Sequence, residues 1–190
     1  MIKIFDPTQV IDGDCYVADY TNLSDSKRGV EISTQPFDDI TYFSLIKKGH
    51  GNIPYQAINL EKFPSFIKGI DNCECIFNAL SERGRPWLLF LETKYCKKPE
   101  NIGNYPVKAY NQMTETLDRL IERTDIEENT RRIYFVYSVP PFPEYEPFGA
   151  FSVSQNEMLS FLEQRGVILM GYNSMLIQTP QYLFAPKRDI

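Results

Sequence analysis

Five apolar residues in a row, Trp87 to Leu91, run without a turn into Glu92, Thr93 and Lys94. A short apolar run bounded upstream by the turn residues SERGRP reads as a strand that needs a core around it. Its end carries a carboxylate and an ammonium two residues apart. Side chains alternate along a strand, so Leu88, Phe90, Glu92, Lys94 and Cys96 share one face while Trp87, Leu89, Leu91, Thr93 and Tyr95 share the other. Glu92 and Lys94 are therefore neighbours by construction, either as a solvated strand exit or as chemistry.

The surrounding pattern is that of alternating strands and helices. CECIFNAL is a strand that pairs with WLLFLETKYC as an antiparallel hairpin, and VKAYNQMTETLDRLIER is a helix with Tyr110, Met113, Leu117, Leu120 and Ile121 at helical spacing. Glu115 and Arg119 at i,i+4 support that helix weakly. RRIYFVYSV is a buried strand, and the proline-rich PPFPEYEPFG breaks regular structure as a loop or flap. Ser154 and Glu157 have capping-box spacing for a helix over QNEMLSFLEQR that Gly166 stops, and VILMGYNSMLIQTPQYLF supplies one or two further strands. In the first 50 residues IKIF and CYVADY read as short strands and DDITYFSLIKKGHG as a short helix stopped by Gly49; IPYQAINL, just beyond, reads as a strand. The order implies an α/β (α+β) chain around a mixed central sheet.

The 190 residues suit one domain, 1–190, with 43% hydrophobic and 24% charged residues; 13 Phe and 12 Tyr point to a core built on rings. A net charge of −5 and pI near 5.0 argue against a broad electrostatic grip on nucleic acid, although Lys27, Lys47 and Arg131 mark local basic pieces. No apolar run approaches the ~18 residues of a membrane span, and the N-terminus lacks the pattern of a signal peptide. A cytoplasmic chain is expected, with no membrane partner and with Cys15, Cys73, Cys75 and Cys96 as thiols. No phosphate-binding loop, dinucleotide fingerprint or serine nucleophile elbow occurs, and His50 is the only histidine.

On the strand before the turn, Glu74 falls on a face with Ile76, Asn78 and Leu80, so an in-register hairpin brings it near Glu92. Two carboxylates at one point repel each other unless a cation stands between them. Mg²⁺ (or Mn²⁺) answers that need, because it takes a few protein oxygens and fills its remaining positions with water and substrate phosphate. Lys94 beside it is placed to orient or deprotonate a water, or to stabilise charge on phosphorus.

CECIF, FLETK and AYNQM together resemble the PD-(D/E)XK nuclease superfamily: an acidic strand, a turn, an apolar strand ending in E-x-K, then a helix carrying Gln. The resemblance covers roughly residues 69–123. It implies a restriction-endonuclease-like core, a mixed sheet flanked by helices, over about 53–139, with N-terminal and C-terminal additions. It also implies a metal-dependent phosphodiester hydrolase acting on DNA or RNA, with Glu74 and Glu92 as metal ligands, Lys94 as the catalytic lysine and Gln112 as the supporting helix residue. The acidic position is usually Asp, and Asp71 is the reserve for Glu74. An early-helix Glu, for which Glu31 and Glu61 are the choices, stays unassigned. The alternative is a catalytically inactive nuclease-fold protein that binds a protein partner, through a surface such as PPFPEYEPFGAF. A third reading joins Cys73 and Cys75 with Cys96 or Cys15 in a thiolate zinc site, although C-x-C on a strand lacks the knuckle geometry.

Overall fold

The computed structural model describes residues 4–5, 8–21, 29–127, 129–148 and 166–186. Its elements in chain order are β1 (Gln9–Ile11), β2 (Cys15–Asp19), β3 (Val30–Ser33), β4 (Phe43–Lys47), β5 (Tyr55–Asn59), α1 (Pro64–Ile67), β6 (Cys75–Ala79), β7 (Trp87–Thr93), α2 (Pro106–Glu122), β8 (Arg132–Ser138), β9 (Val167–Gly171), β10 (Ser174–Thr179) and β11 (Tyr182–Phe184). They form two mixed sheets. One is six-stranded in the order β1-β5-β6-β7-β8-β9, and the other five-stranded in the order β11-β10-β4-β2-β3. β5, β6 and β7 run as an antiparallel meander, after which α2 carries the chain to β8, parallel to β7.

The apolar run of β7 is explained by burial on both sides. Leu88 and Phe90 face a core with Ile76, Phe135 and the α2 residues Ala109, Met113, Leu117 and Leu120. Trp87, Leu89 and Leu91 face a second core, where Phe77 and Val136 of the same sheet meet Val17, Phe43, Leu45, Met175 and Ile177 of the other. Each such side chain contributes roughly 1.5–3 kcal/mol on removal from water. The central sheet is mixed, as expected, but helices do not flank it on both sides among the described residues: α2 covers one face and a second sheet covers the other. Alternation reveals that two faces are apolar, and it carries no information on what covers each.

The segment read as a helix stopped by Gly49 is strand β4. Phe43 and Leu45 point into the inter-sheet core while Ser44 and Ile46 stay partly exposed, a period of two rather than 3.6. The strand ends at Lys47, two residues before Gly49, where a side chain would collide with the Gln178 backbone. Of IKIF only Ile4 and Phe5 are described, and they lie in a turn; the helix expected over 155–165 and Lys27 lie outside the described residues. CYVADY, IPYQAINL and RRIYFVYSV form strands as expected, and the last segment yields three strands rather than one or two.

The chain crosses from one sheet to the other between β9 and β10, at Asn173. Its side chain accepts from the Ser138 hydroxyl (2.7 Å) and the Val139 N–H (2.8 Å) and donates to the Val139 carbonyl (3.0 Å), while its own carbonyl accepts from Ser44 N–H at 2.9 Å. One buried residue thus ties the end of β8, through its side chain, to β4 of the second sheet, through its backbone. No described helix is long and apolar enough to cross a membrane.

Candidate metal centre at the end of β7

The regular pairing of β6 with β7 ends at Cys75↔Leu91, and one more step of that register sets Glu74 opposite Glu92. β6 departs from the ladder there. The Glu74 N–H donates to the Leu91 carbonyl at 3.2 Å, and Glu74 Oε2 accepts both the Thr93 N–H at 3.0 Å and the Thr93 hydroxyl. The carboxylate occupies the donor that the strand leaves behind. Cys73, just upstream, packs on the α2 side with Ile76, whereas Cys75 packs between the sheets. The two cysteines therefore do not share a face, because residues 73 and 74 precede the strand rather than lying in it.

Glu92 keeps the expected face, toward α2, and is 1% exposed. Its Oε1 pairs with the ammonium of Lys94, which is 23% exposed, and its Oε2 is buried with no hydrogen-bond partner. Burial raises the Glu92 carboxyl above its ordinary pKa, with Lys94 and the nearby backbone N–H of Glu74 offsetting part of the rise. Glu74 is half-buried, and loss of hydration first, then the charges of Glu92 and Asp19, push its carboxyl above the ordinary value. Burial draws the Lys94 ammonium down, but the charges of Glu92 and Glu74 outweigh it and hold the pKa above that of a free lysine. Lys94 is consequently a cation at neutral pH.

Asp19 is the residue that the sequence reading passed over. It ends β2 in the second sheet, is 8% exposed, and its Oδ1 accepts from the Thr21 N–H at 2.8 Å. Its charge raises the pKa of Glu74, Glu92 and Lys94 alike. The signal was an acid at the end of CYVAD on the same strand face as the buried Cys15 and Val17. Of the two residues weighed for an early acid, Glu61 accepts from the Val30 N–H at 3.0 Å and Glu31 lies within β3. Asp71, the reserve ligand, is exposed, and its N–H donates to Glu115 Oε2 at 2.9 Å. Glu115 thus meets Asp71, and among the described residues no Glu115–Arg119 ion pair forms.

Gln112 supports the acidic segment from α2. Its Nε2 donates to the Asn72 carbonyl at 2.9 Å, and its Oε1 is buried without a partner. One turn on, the buried Thr116 hydroxyl accepts from the Cys73 N–H at 3.0 Å and donates to the Gln112 carbonyl at 2.7 Å. Together they hold the two residues that lead into Glu74.

Among the described residues no group of three His, Cys, Asp or Glu side chains is disposed to hold a metal ion. The four cysteines, three of them buried, form no zinc set there, and His50 is exposed. The two expected ligands are engaged separately, Glu92 Oε1 by Lys94 and Glu74 Oε2 by Thr93, whose side chain lies on the face of β7 opposite Glu92, so a cation would draw at most on Glu92 Oε2 and one oxygen of Glu74. That fits Mg²⁺, which is often held by one or two carboxylates with water and phosphate completing the shell.

Fold and site together define an α+β protein built on two mixed sheets, with a cluster of acids and a lysine at the carboxyl end of a central strand. No family profile, no curated protein and no solved structure matches the chain.

Proposed function

We propose that the chain is a metal-dependent phosphodiester hydrolase of the PD-(D/E)XK type, acting on DNA or RNA. The observation that carries this reading is the orphaned Oε2 of Glu92, a carboxylate oxygen fully removed from water beside a second acid whose charge it opposes. A buried acceptor left unsatisfied is destabilising, and a divalent cation is the partner that relieves it and the repulsion together. The meander into an E-x-K strand, followed by a Gln-bearing helix and a parallel strand, also supports the reading.

In this reading Glu92 and Glu74 would hold the cation, which when bound would supply Lewis-acid polarisation of a phosphate oxygen and a water of lowered pKa. Lys94, held protonated, acts as a fixed positive charge for the phosphoryl oxygens rather than as the base. The water oxygen bonds to phosphorus, its proton leaves to solvent, and the bridging P–O bond breaks with its electron pair on the departing oxygen. Gln112 and Thr116 fix the approach of Glu74. The test is cleavage of mixed DNA and RNA with Mg²⁺ or Mn²⁺ by wild type, Glu92→Ala and Lys94→Ala; equal cleavage by all three rejects the assignment.

A second reading, an inactive nuclease-fold module that binds a protein, is favoured by the Glu92–Lys94 ion pair, which neutralises one carboxylate with no metal. Calorimetry with Mn²⁺ separates the two: the hydrolase binds the ion and the module does not.

A further inference from the structure

The opposite end of β7 carries a different surface. The β6–β7 turn brings exposed Arg83 and Arg85, and the start of β8 brings half-buried Arg131 and Arg132. The turn between β10 and β11 closes against them: the Trp87 N–H donates to the Pro180 carbonyl at 3.0 Å and Gln181 Nε2 to the Arg83 carbonyl at 3.0 Å. Arg85 donates to the Arg131 carbonyl at 2.9 Å, and Arg131 to the Ala79 carbonyl at 3.0 Å. The bonds to neutral carbonyls fix the guanidinium groups of Arg85 and Arg131 without neutralising them. Among the described residues none of the four has a carboxylate within ion-pairing distance, and exposed Glu82 is the one acid in the turn itself. On a chain of net charge −5 this concentration of cations is local.

Aromatic rings complete it. The Arg132 guanidinium lies 4.3 Å from the centroid of the Tyr182 ring and donates to its hydroxyl at 3.3 Å, while Arg132 Nε is buried without a partner. Tyr182 in turn stacks on Phe184, with centroids 6.3 Å apart and planes at 27°. Both rings are exposed, Phe184 at 50%, and Leu183 between them anchors the strand in the inter-sheet core. Arginine, tyrosine and phenylalanine form a row of flat groups whose last member is open to a further ring, with cations alongside for phosphate. Every base has a face that stacks on such a ring, and only an unpaired strand can offer it.

We propose that Arg83, Arg85, Arg131 and Arg132 with the stacked Tyr182 and Phe184 bind single-stranded nucleic acid, a base on Phe184 and phosphates against the arginines. The assignment rests on the hydrolase reading only for the bound strand being also a substrate, the two ends of β7 lying about 20 Å apart. Binding itself needs no metal.

The test is fluorescence anisotropy of labelled oligo-dT and oligo-U with the full chain in EDTA, at several salt concentrations. Wild type is expected to bind at least one of them in preference to a duplex of equal length. Phe184→Ala and Phe184→Leu each weaken binding at least about fivefold, and Arg83→Ser with Arg85→Ser reduces the salt slope by roughly 1.4, at about 0.7 per phosphate. Val107→Ser, at another exposed apolar position, leaves it unchanged. No binding at low salt, equal affinity for duplex, full competition by polyglutamate, or no effect of either Phe184 variant overturns the proposal. Binding without cleavage under Mg²⁺ keeps this surface and rejects the hydrolase; cleavage with unaltered binding in both Phe184 variants does the reverse.

Discussion

Thr93 gives both its backbone N–H and its hydroxyl hydrogen to one acceptor, Oε2 of Glu74. The residue that ends β7 thereby sets the position of an acid that has left the neighbouring strand. Thr93→Val keeps the shape of the buried side chain and removes only the hydroxyl. The expected loss is about 1–2 kcal/mol in urea unfolding at pH 7, with an unchanged m value. A variant as stable as wild type would show that the hydroxyl does not hold Glu74.

The raised carboxyl pKa values have a definite sign. Glu74 and Glu92 both hold their protons more tightly in the folded chain than in the unfolded one. The folded state then binds more protons than the unfolded state between the ordinary value near 4.5 and the higher folded value. Stability is fully retained below the lower limit and falls as pH rises through that window. Glu74→Gln removes the titration while keeping an oxygen for Thr93. It is expected to stabilise the apo protein by on the order of 1 kcal/mol at pH 8 and by nothing at pH 4, in denaturant titrations at both values. Stabilisation that is equal at the two pH values would contradict a raised Glu74.

Much of this was readable in the residues. The β6–β7 pairing, α2 and β8 follow from unbroken apolar runs and helical spacing, and the same alternation set Glu92 and Lys94 side by side. Position 74 resisted that method, because alternation holds only inside a strand and the ladder stops at Cys75. β4 was misread because Phe43, Leu45 and Ile46 satisfy a short helical pattern as well as a strand, and only the partner sheet decides between them. Asp19 was missed for a different reason: alternation in CYVAD marks it as an acid on a buried face, but it reaches the site from another sheet, and no local pattern encodes which strand ends meet.

Metal binding is expected to release protons. A carboxyl must be ionised to ligate, and burial raises the pKa of both Glu74 and Glu92 in the free protein, so ligation works against a tighter hold on the proton. Calorimetry of Mn²⁺ binding at pH 6 in two buffers of different ionisation enthalpy reads the number released. A fractional to single proton is expected for wild type, with affinity reduced at least about tenfold in Glu92→Ala as a ligand is lost. Binding with the same apparent enthalpy in both buffers would mean that neither acid is a ligand.

Thr116 offers the sharpest separation of support from ligation. Its hydroxyl is the acceptor for the buried Cys73 N–H, the last backbone donor before Glu74, and it is held in turn by the Gln112 carbonyl. Thr116→Val leaves that N–H buried without a partner, at a cost of about 1–3 kcal/mol. Thr116→Ser restores the acceptor and loses only a methyl group, so it should recover most of that loss. If Thr116 acts by positioning Glu74, Mn²⁺ affinity follows the same order, falling in Val and returning in Ser, although the residue touches no ion. Stability that recovers while affinity does not would assign Thr116 to the fold alone.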